Sequence, residues 1–141
     1  MIATVKKILA RGKLKKDLAA FLNELEKNLE LFYVMDQRQF ITQGFSTNAW
    51  ERVKGMEMVK KYEAIGLCMR TLEGFNRLFK EHKEFEKWYA ADMANKTKEN
   101  ALKLHHMKQD LEAQLKGIEG SIILAGQALE KDMLATGLLK P

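Results

Sequence analysis

A chain of 141 residues is long enough for one compact domain, so we expect residues 1–141 to form a single domain. Hydrophobic residues make up 46% of it and charged residues 30%, which argues against an intrinsically disordered protein. The single cysteine, Cys68, excludes an intrachain disulfide and a cysteine-based zinc site. The net charge of +5 comes from an excess of cations at the N-terminal end, so the rest of the chain is not basic.

The composition favours helices throughout. The only proline is Pro141, the last residue, while Leu, Lys, Glu, Ala and Met dominate and β-branched residues are sparse. No stretch approaches the roughly 18 uncharged apolar residues that span a bilayer, and the N-terminus lacks the apolar core of a secretory signal. We therefore expect an all-α protein of the cytoplasm.

Residues 1–16 contain six cations and no acid, so residues 17–141 sum to a charge of −1. Ile2, Val5 and Leu9 are spaced to share one helical face, which predicts a basic amphipathic helix. Two interpretations compete: the start of the first bundle helix, or an arm that binds an anionic membrane or nucleic-acid phosphates. The cations that would make the second kind of contact are Lys6, Lys7, Arg11, Lys13, Lys15 and Lys16.

Apolar residues then recur every three or four positions, which predicts the first helix through about Thr42. The repeat runs through Leu14, Leu18, Phe21, Leu25, Leu29, Phe32 and Met35. We expect Gly44 to close this helix in the left-handed conformation and either Ser46 or Asn48 to cap the next one.

Two further segments have the same periodicity. The second, residues 47–90, contains one polar member in its apolar repeat, Asn76. A turn is expected at residues 91–96, where Asp92, Asn95 and Thr97 are candidate caps. The third segment, residues 96–136, should end at Gly137, which leaves residues 137–141 as a tail.

These boundaries predict an up-and-down bundle of three long antiparallel amphipathic helices, each roughly 60 Å long. A break at a glycine, Gly12 or Gly74, would give four or more helices instead. Three such long helices bury their apolar stripes poorly as a monomer, so we expect a homo-oligomer, with a dimer favoured.

The candidate metal ligands are the three histidines, His82, His105 and His106, together with Glu86 and Asp110. With a turn near residue 93, His82 and His105 fall at one level of neighbouring helices, and His82–Glu86 and His106–Asp110 share the spacing of one helical face. The glutamate three residues before a histidine that di-iron bundles use is absent, and His82 lies among charged neighbours typical of a solvated face. Surface or structural histidines are therefore favoured over a metal site.

No catalytic motif is found. Ser46 and Ser121, the only serines, are interpreted as a cap and as part of a packing surface, and Cys68 as a buried apolar residue. We predict no cofactor and no enzymatic activity, and a helical bundle that acts in self-assembly or protein–protein interaction. The alternatives are a peripheral binder of anionic surfaces and a metal-binding bundle.

Overall fold

The computed structural model describes residues 2–138, except for the side chains of residues 2–11. It is 82% helical, has no strand among the described residues, and its helices pack on one another as a bundle, which confirms the all-α prediction. The helices are α1 (Ile2–Arg38), α2 (Trp50–Val53), α3 (Glu57–Lys60), α4 (Glu63–Ala91), α5 (Lys98–Lys116) and α6 (Ile118–Ala135). A 3-10 turn, Met93–Asn95, lies between α4 and α5.

Helix α1 is continuous through Gly12 but ends at Arg38, four residues before the predicted end. Gln39 takes the left-handed conformation, with φ 52°. The N–H of Phe40 then donates to the Met35 carbonyl at 3.2 Å, and the N–H of Gln39 to the Asp36 carbonyl at 3.2 Å. This is the Schellman closure of a helix, here made by a glutamine, so the expected role of Gly44 is wrong.

The predicted second helix is wrong over its first third. Residues 39–62 form an irregular stretch and two single helical turns, because Lys54–Gly55 is a turn and both Met56 and Tyr62 have extended backbones. Neither predicted cap is used, since α2 begins after Ala49 without a side-chain cap. Residues 39–62 run back along α1, where the Ser46 N–H donates to Asn28 at 3.0 Å and the ring of Trp50 lies 5.5 Å from that of Phe21.

Because residues 39–62 return along α1, α4 runs in the same direction as α1. Leu14 in the first half of α1 and Lys61 just before α4 line one cavity, while Met35 near the end of α1 and His82 on α4 line another. Helices α5 and α6 run the opposite way, as a rod that is interrupted at Gly117. The bundle thus has four long helices, and the glycine that breaks one of them is Gly117 rather than Gly12 or Gly74.

The later boundaries agree with the prediction. The α4–α5 turn falls at residues 92–97, where the Asp92 carboxylate accepts the N–H of Ala94 and the Thr97 hydroxyl accepts that of Asn100. Gly137 closes α6 with φ 74°. The predicted tail lies outside the described residues from position 139 onwards.

The core lies where α1, α4 and α6 meet residues 39–62, the connection between α1 and α4. Wholly buried side chains include Leu18, Phe21, Val53, Ile65, Cys68, Leu72, Phe75, Ile118, Leu129 and Met133. In the part of the chain that is described, no helix is both long and apolar enough to cross a membrane.

Candidate interaction surface on the α4–α5 hairpin

The distal half of the α4–α5 hairpin, residues 83–110, extends past the end of α1. Met35 and Gln39, at the end of α1, share a groove with His82 and Lys83 of α4 and Lys108 of α5. No residue from 83 to 110 is buried, although the structure describes all of them, whereas residues 63–82 of α4 contribute six buried side chains. The distal hairpin is therefore a two-helix structure without a third helix to cover it.

Large apolar side chains of the distal hairpin face solvent. The exposed fractions are 47% for Trp88, 78% for Met93 and 55% for Leu102. Phe85 is half-buried, with its ring centroid 5.5 Å from that of Trp88 and the Lys103 ammonium 4.7 Å above it. A group of exposed large apolar residues on one element is typical of an interaction site.

Hydrogen bonds hold the tip of the hairpin in place. The side chain of Asn95 donates to the Trp88 carbonyl at 2.9 Å, and that of Asn100 donates to the Asn95 carbonyl at 2.9 Å. Together with the caps at Asp92 and Thr97, these bonds satisfy backbone groups that the ends of α4 and α5 would otherwise leave open. The exposed apolar residues are thus presented on an ordered support.

A groove of about 380 Å³ lies at the base of the distal hairpin. Its apolar walls come from α1, α4 and α5: Met35, Phe79, Leu111 and Leu115. Its charged side chains are mixed in sign, with Asp36, Glu86 and Glu112 alongside Lys83, Lys108 and Lys116. The groove therefore offers no strong preference for a cation or an anion.

The histidines are not gathered into one site. His82 and Glu86 line the groove, whereas His105, His106 and Asp110 are exposed on α5, with the two histidine rings 6.2 Å apart. Among the described residues, no group of three or more His, Cys, Asp or Glu side chains could hold a metal ion. His82 is 9% exposed, so its interpretation as part of a solvated face is wrong; its spacing from Phe75 and Phe79 was the better signal.

The basic segment is described only in part. Its backbone is helical from Ile2 and continues directly into the rest of α1. Lys13, Lys15 and Lys16 are exposed, which leaves their ammonium groups free to meet an anionic surface. The side chains of Lys6, Lys7 and Arg11 lie outside the described residues.

The side chains that could act as nucleophiles, Cys68, Ser46 and Ser121, lie in environments that do not activate them. Burial raises the pKa of the Cys68 thiol to about 12, so the thiol is protonated and unreactive at neutral pH. The Ser46 hydroxyl donates to the Glu24 carboxylate at 2.7 Å, and the Ser121 hydroxyl to the Gly117 carbonyl at 3.1 Å. No described histidine makes a hydrogen bond to either serine.

Three polar residues that hold the connection were not identified as functional from the sequence. Glu24 accepts hydrogen bonds from the N–H groups of Ala49 and Trp50, at 3.0 and 3.1 Å, and so caps α2 from a neighbouring helix. Asn28 pairs with both backbone groups of Ser46, and Asn76 with both of Phe45. The signal was that Asn28 and Asn76 occupy positions where a three-four repeat calls for an apolar residue.

Asp132 on α6 is the other missed residue. One of its carboxylate oxygens, Oδ1, accepts from the Tyr62 hydroxyl at 2.5 Å and the Lys61 ammonium at 2.8 Å. The hydrogen bond from Lys61, followed by that from Tyr62, lowers the pKa of Asp132, and the bond to Asp132 raises the pKa of Lys61. The sequence alone gave no sign of this contact, since Tyr62 and Asp132 lie 70 residues apart.

Comparison with protein-family models, with curated proteins and with solved structures found no match to this chain.

Proposed function

We propose that this protein is a non-catalytic helical bundle that associates with a second copy of itself through the distal hairpin, residues 83–110. The observation that carries the proposal is that this hairpin buries none of its residues while Trp88, Met93 and Leu102 face solvent. Two such hairpins, packed side by side, would complete a four-helix bundle and cover these side chains.

Charge supports a second copy as the partner. Residues 83–110 carry six lysines and five acids, interspersed along both helices, so this surface is close to neutral. A surface with both signs of charge can pair with itself without net repulsion, whereas a surface of one sign would repel its copy. The basic segment at residues 1–16, with six cations, lacks this property.

Molar mass in solution tests the proposal. Light scattering coupled to size exclusion should give about twice 16.3 kDa for the wild-type chain at micromolar concentrations. The double variant Trp88→Glu, Leu102→Glu should give 16.3 kDa, because it places two charges in the contact. The matched control is Leu67→Glu, a 53% exposed leucine on the proximal half of α4, which should leave the dimer intact. A wild-type chain that stays monomeric up to millimolar concentration contradicts the proposal.

The same proposal includes a cytoplasmic location, which a buried, unpaired Cys68 supports because reduced thiols persist there. Fractionation of cells that express the tagged chain tests it.

A second function, binding of anionic surfaces, is supported by the exposure of Lys13, Lys15 and Lys16 on a helix that starts at Ile2. Replacement of these three lysines by Glu should weaken binding to phosphatidylserine vesicles or DNA and flatten its salt dependence. The control replaces three exposed lysines elsewhere, Lys60, Lys80 and Lys131, with the same change in net charge. If both triple variants lose the same binding affinity, the effect comes from the overall charge of the protein and not from a site at the start of α1.

A further inference from the structure

A second cavity, of about 500 Å³, lies at the opposite end of the bundle from the distal hairpin. It is bounded by α1 at Leu14, by α3 and by the C-terminal end of α6. Leu14, Met58 and Leu138 supply apolar walls, and the charged groups that line it are Glu57, Lys61 and Asp132. Two carboxylates against one ammonium give the cavity a net negative charge.

Asp132 is 7% exposed and only half of its carboxylate is satisfied. Oδ1 accepts from both Tyr62 and Lys61, whereas Oδ2, also buried, accepts no hydrogen bond from any described residue. Buried carboxylate oxygens are nearly always hydrogen-bonded, because burial without a partner forfeits the hydration of a charged group. Asp132 lines the cavity, but Oδ2 itself is closed off from solvent in this structure, so a donor can reach this unsatisfied oxygen only when a neighbouring side chain moves.

The chemistry of the missing donor follows from its surroundings. A metal ion would need several oxygen ligands, and the described residues hold no such group. A water molecule could find polar partners among Glu57, Lys61 and Thr136, but it would leave the apolar walls of the cavity in contact with solvent. A protonated amine with a short aliphatic chain suits both the unsatisfied carboxylate and the apolar walls. Its ammonium can donate to the carboxylate, and its carbons can contact Leu14, Met58 and Leu138.

We propose that this cavity binds a protonated primary aliphatic amine, with its ammonium donating to Asp132 Oδ2 and its chain packed against the apolar walls. Access to Oδ2 requires a side chain to move, because the oxygen is closed to solvent in this structure. The Lys61 side chain is 53% exposed and reaches Asp132 from outside the core, so its rotation opens a path to the carboxylate. Lys61 holds Oδ1 and the amine would hold Oδ2, so the two cations compete for the negative charge of one carboxylate.

The probe is n-butylammonium chloride, titrated into the full-length ¹⁵N-labelled protein and followed by amide chemical shifts. Saturable shifts are expected at residues 61, 62 and 132, and n-butanol, the neutral analogue, should produce none of them. Nα-acetyl-lysine amide serves as a second probe, because a lysine side chain presents the same ammonium and chain. Binding of both probes would extend the ligand class from free amines to peptide lysines.

Two variants separate binding from folding. Asp132→Asn should weaken n-butylammonium binding by at least about tenfold, the loss expected for one charge-assisted hydrogen bond. Lys61→Met should strengthen binding, because it removes the competing ammonium, and a misfolded protein cannot mimic a gain in affinity. Lys60→Met, an exposed neighbour with the same change of charge, controls for the general electrostatic effect.

Three results would overturn the proposal. These are an absence of saturable shifts with n-butylammonium, equal shifts with n-butanol, and equal tightening in Lys61→Met and Lys60→Met. Each is independent of the oligomeric state, so the amine site and the self-association proposed above stand or fall separately.

Discussion

At the scale of single residues, Glu24 links α1 to the connection through hydrogen bonds. Its carboxylate accepts three hydrogen bonds, from the Ser46 hydroxyl and from the N–H groups of Ala49 and Trp50. These donors belong to the connection, whereas Glu24 belongs to α1. One buried acid thus fixes the start of a four-residue helix that has no cap of its own.

Glu24→Ala should lower the free energy of unfolding by about 1–3 kcal/mol, because it leaves three donors without their acceptor and the N–H of Ala49 among them is buried. Urea denaturation measures this change. The matched control is Glu26→Ala, an exposed acid two residues later in the same helix, which should change stability by less than about 0.5 kcal/mol. A similar loss for both variants would show that the acceptor role of Glu24 is not what stabilises the connection.

Asp132 makes stability depend on pH in one direction. Its pKa in the folded protein is lowered below the ordinary value of 3.8 by the hydrogen bonds from Lys61 and Tyr62. The folded state therefore binds the proton less readily than the unfolded state does, and the carboxylate contributes stability that is present in full above pH 3.8. This contribution is lost as the pH falls through the lower folded value.

The comparison of wild type with Asp132→Asn by urea unfolding between pH 7 and pH 2 isolates this effect. The difference in the free energy of unfolding should be constant above about pH 5 and should shrink as the pH falls below 4. Glu130→Gln, an exposed acid on the same helix, should show no such convergence. A constant difference at all pH values would contradict the assignment.

At the scale of elements, the crossing of the connection over α4 depends on Gly44. A Cβ atom built at this position would lie 2.6 Å from Oδ1 of Asn76. That oxygen accepts the Phe45 N–H at 2.7 Å, and the amide nitrogen of Asn76 donates to the Phe45 carbonyl at 2.8 Å. Gly44 is therefore required for the close approach of two elements rather than for a left-handed turn.

Gly44→Ala should destabilise the fold by about 1–3 kcal/mol, because the methyl group displaces Asn76 from both hydrogen bonds. Gly120→Ala on α6 is the control, since nothing lies within 4 Å of the added atom. Alanine favours a helix interior over glycine by up to about 1 kcal/mol, so this control should be neutral or stabilising. Thermal unfolding of both variants tests this. If the contact with Asn76 is the cause, the melting temperature should fall for Gly44→Ala and should stay the same or rise for Gly120→Ala.

At the scale of the whole molecule, the bundle is built unevenly along its length. One part is a packed core in which the connection, α1, α4 and α6 meet, and the other is the distal hairpin without buried residues. Cooperative stability comes mainly from buried apolar contacts, so the hairpin should open without global unfolding.

Hydrogen exchange followed by mass spectrometry measures this directly. Amides in the distal hairpin, at residues 84–90 and 99–107, should exchange at least about tenfold faster than those of residues 65–79. Residues 65–79 also belong to α4 but lie in the core. If the chain dimerises through the hairpin, protection of the first two ranges should rise with protein concentration, while that of the core stays constant. Uniform protection along α4 would contradict this division of the molecule.

Local patterns in the sequence determined the helical class, the α4–α5 turn and the end of α6. Periodicity, the absence of internal proline, the caps near residue 95 and Gly137 act over a few residues, so they can be read without knowing the fold. The tertiary structure alone decided the path of residues 39–62, since Glu24, Asn28 and Asn76 hold that segment by contacts across 18 to 31 positions of the chain.

The same distinction applies to the sites. The exposure of Lys13, Lys15 and Lys16 follows from their spacing, whereas the burial of His82 and the half-satisfied carboxylate of Asp132 depend on which helices meet. The helical period of the sequence shows which face of a helix is apolar, but it does not show where the neighbouring helix ends. That end point, Arg38 in α1, leaves the distal hairpin uncovered and so determines the surface through which we propose the protein associates.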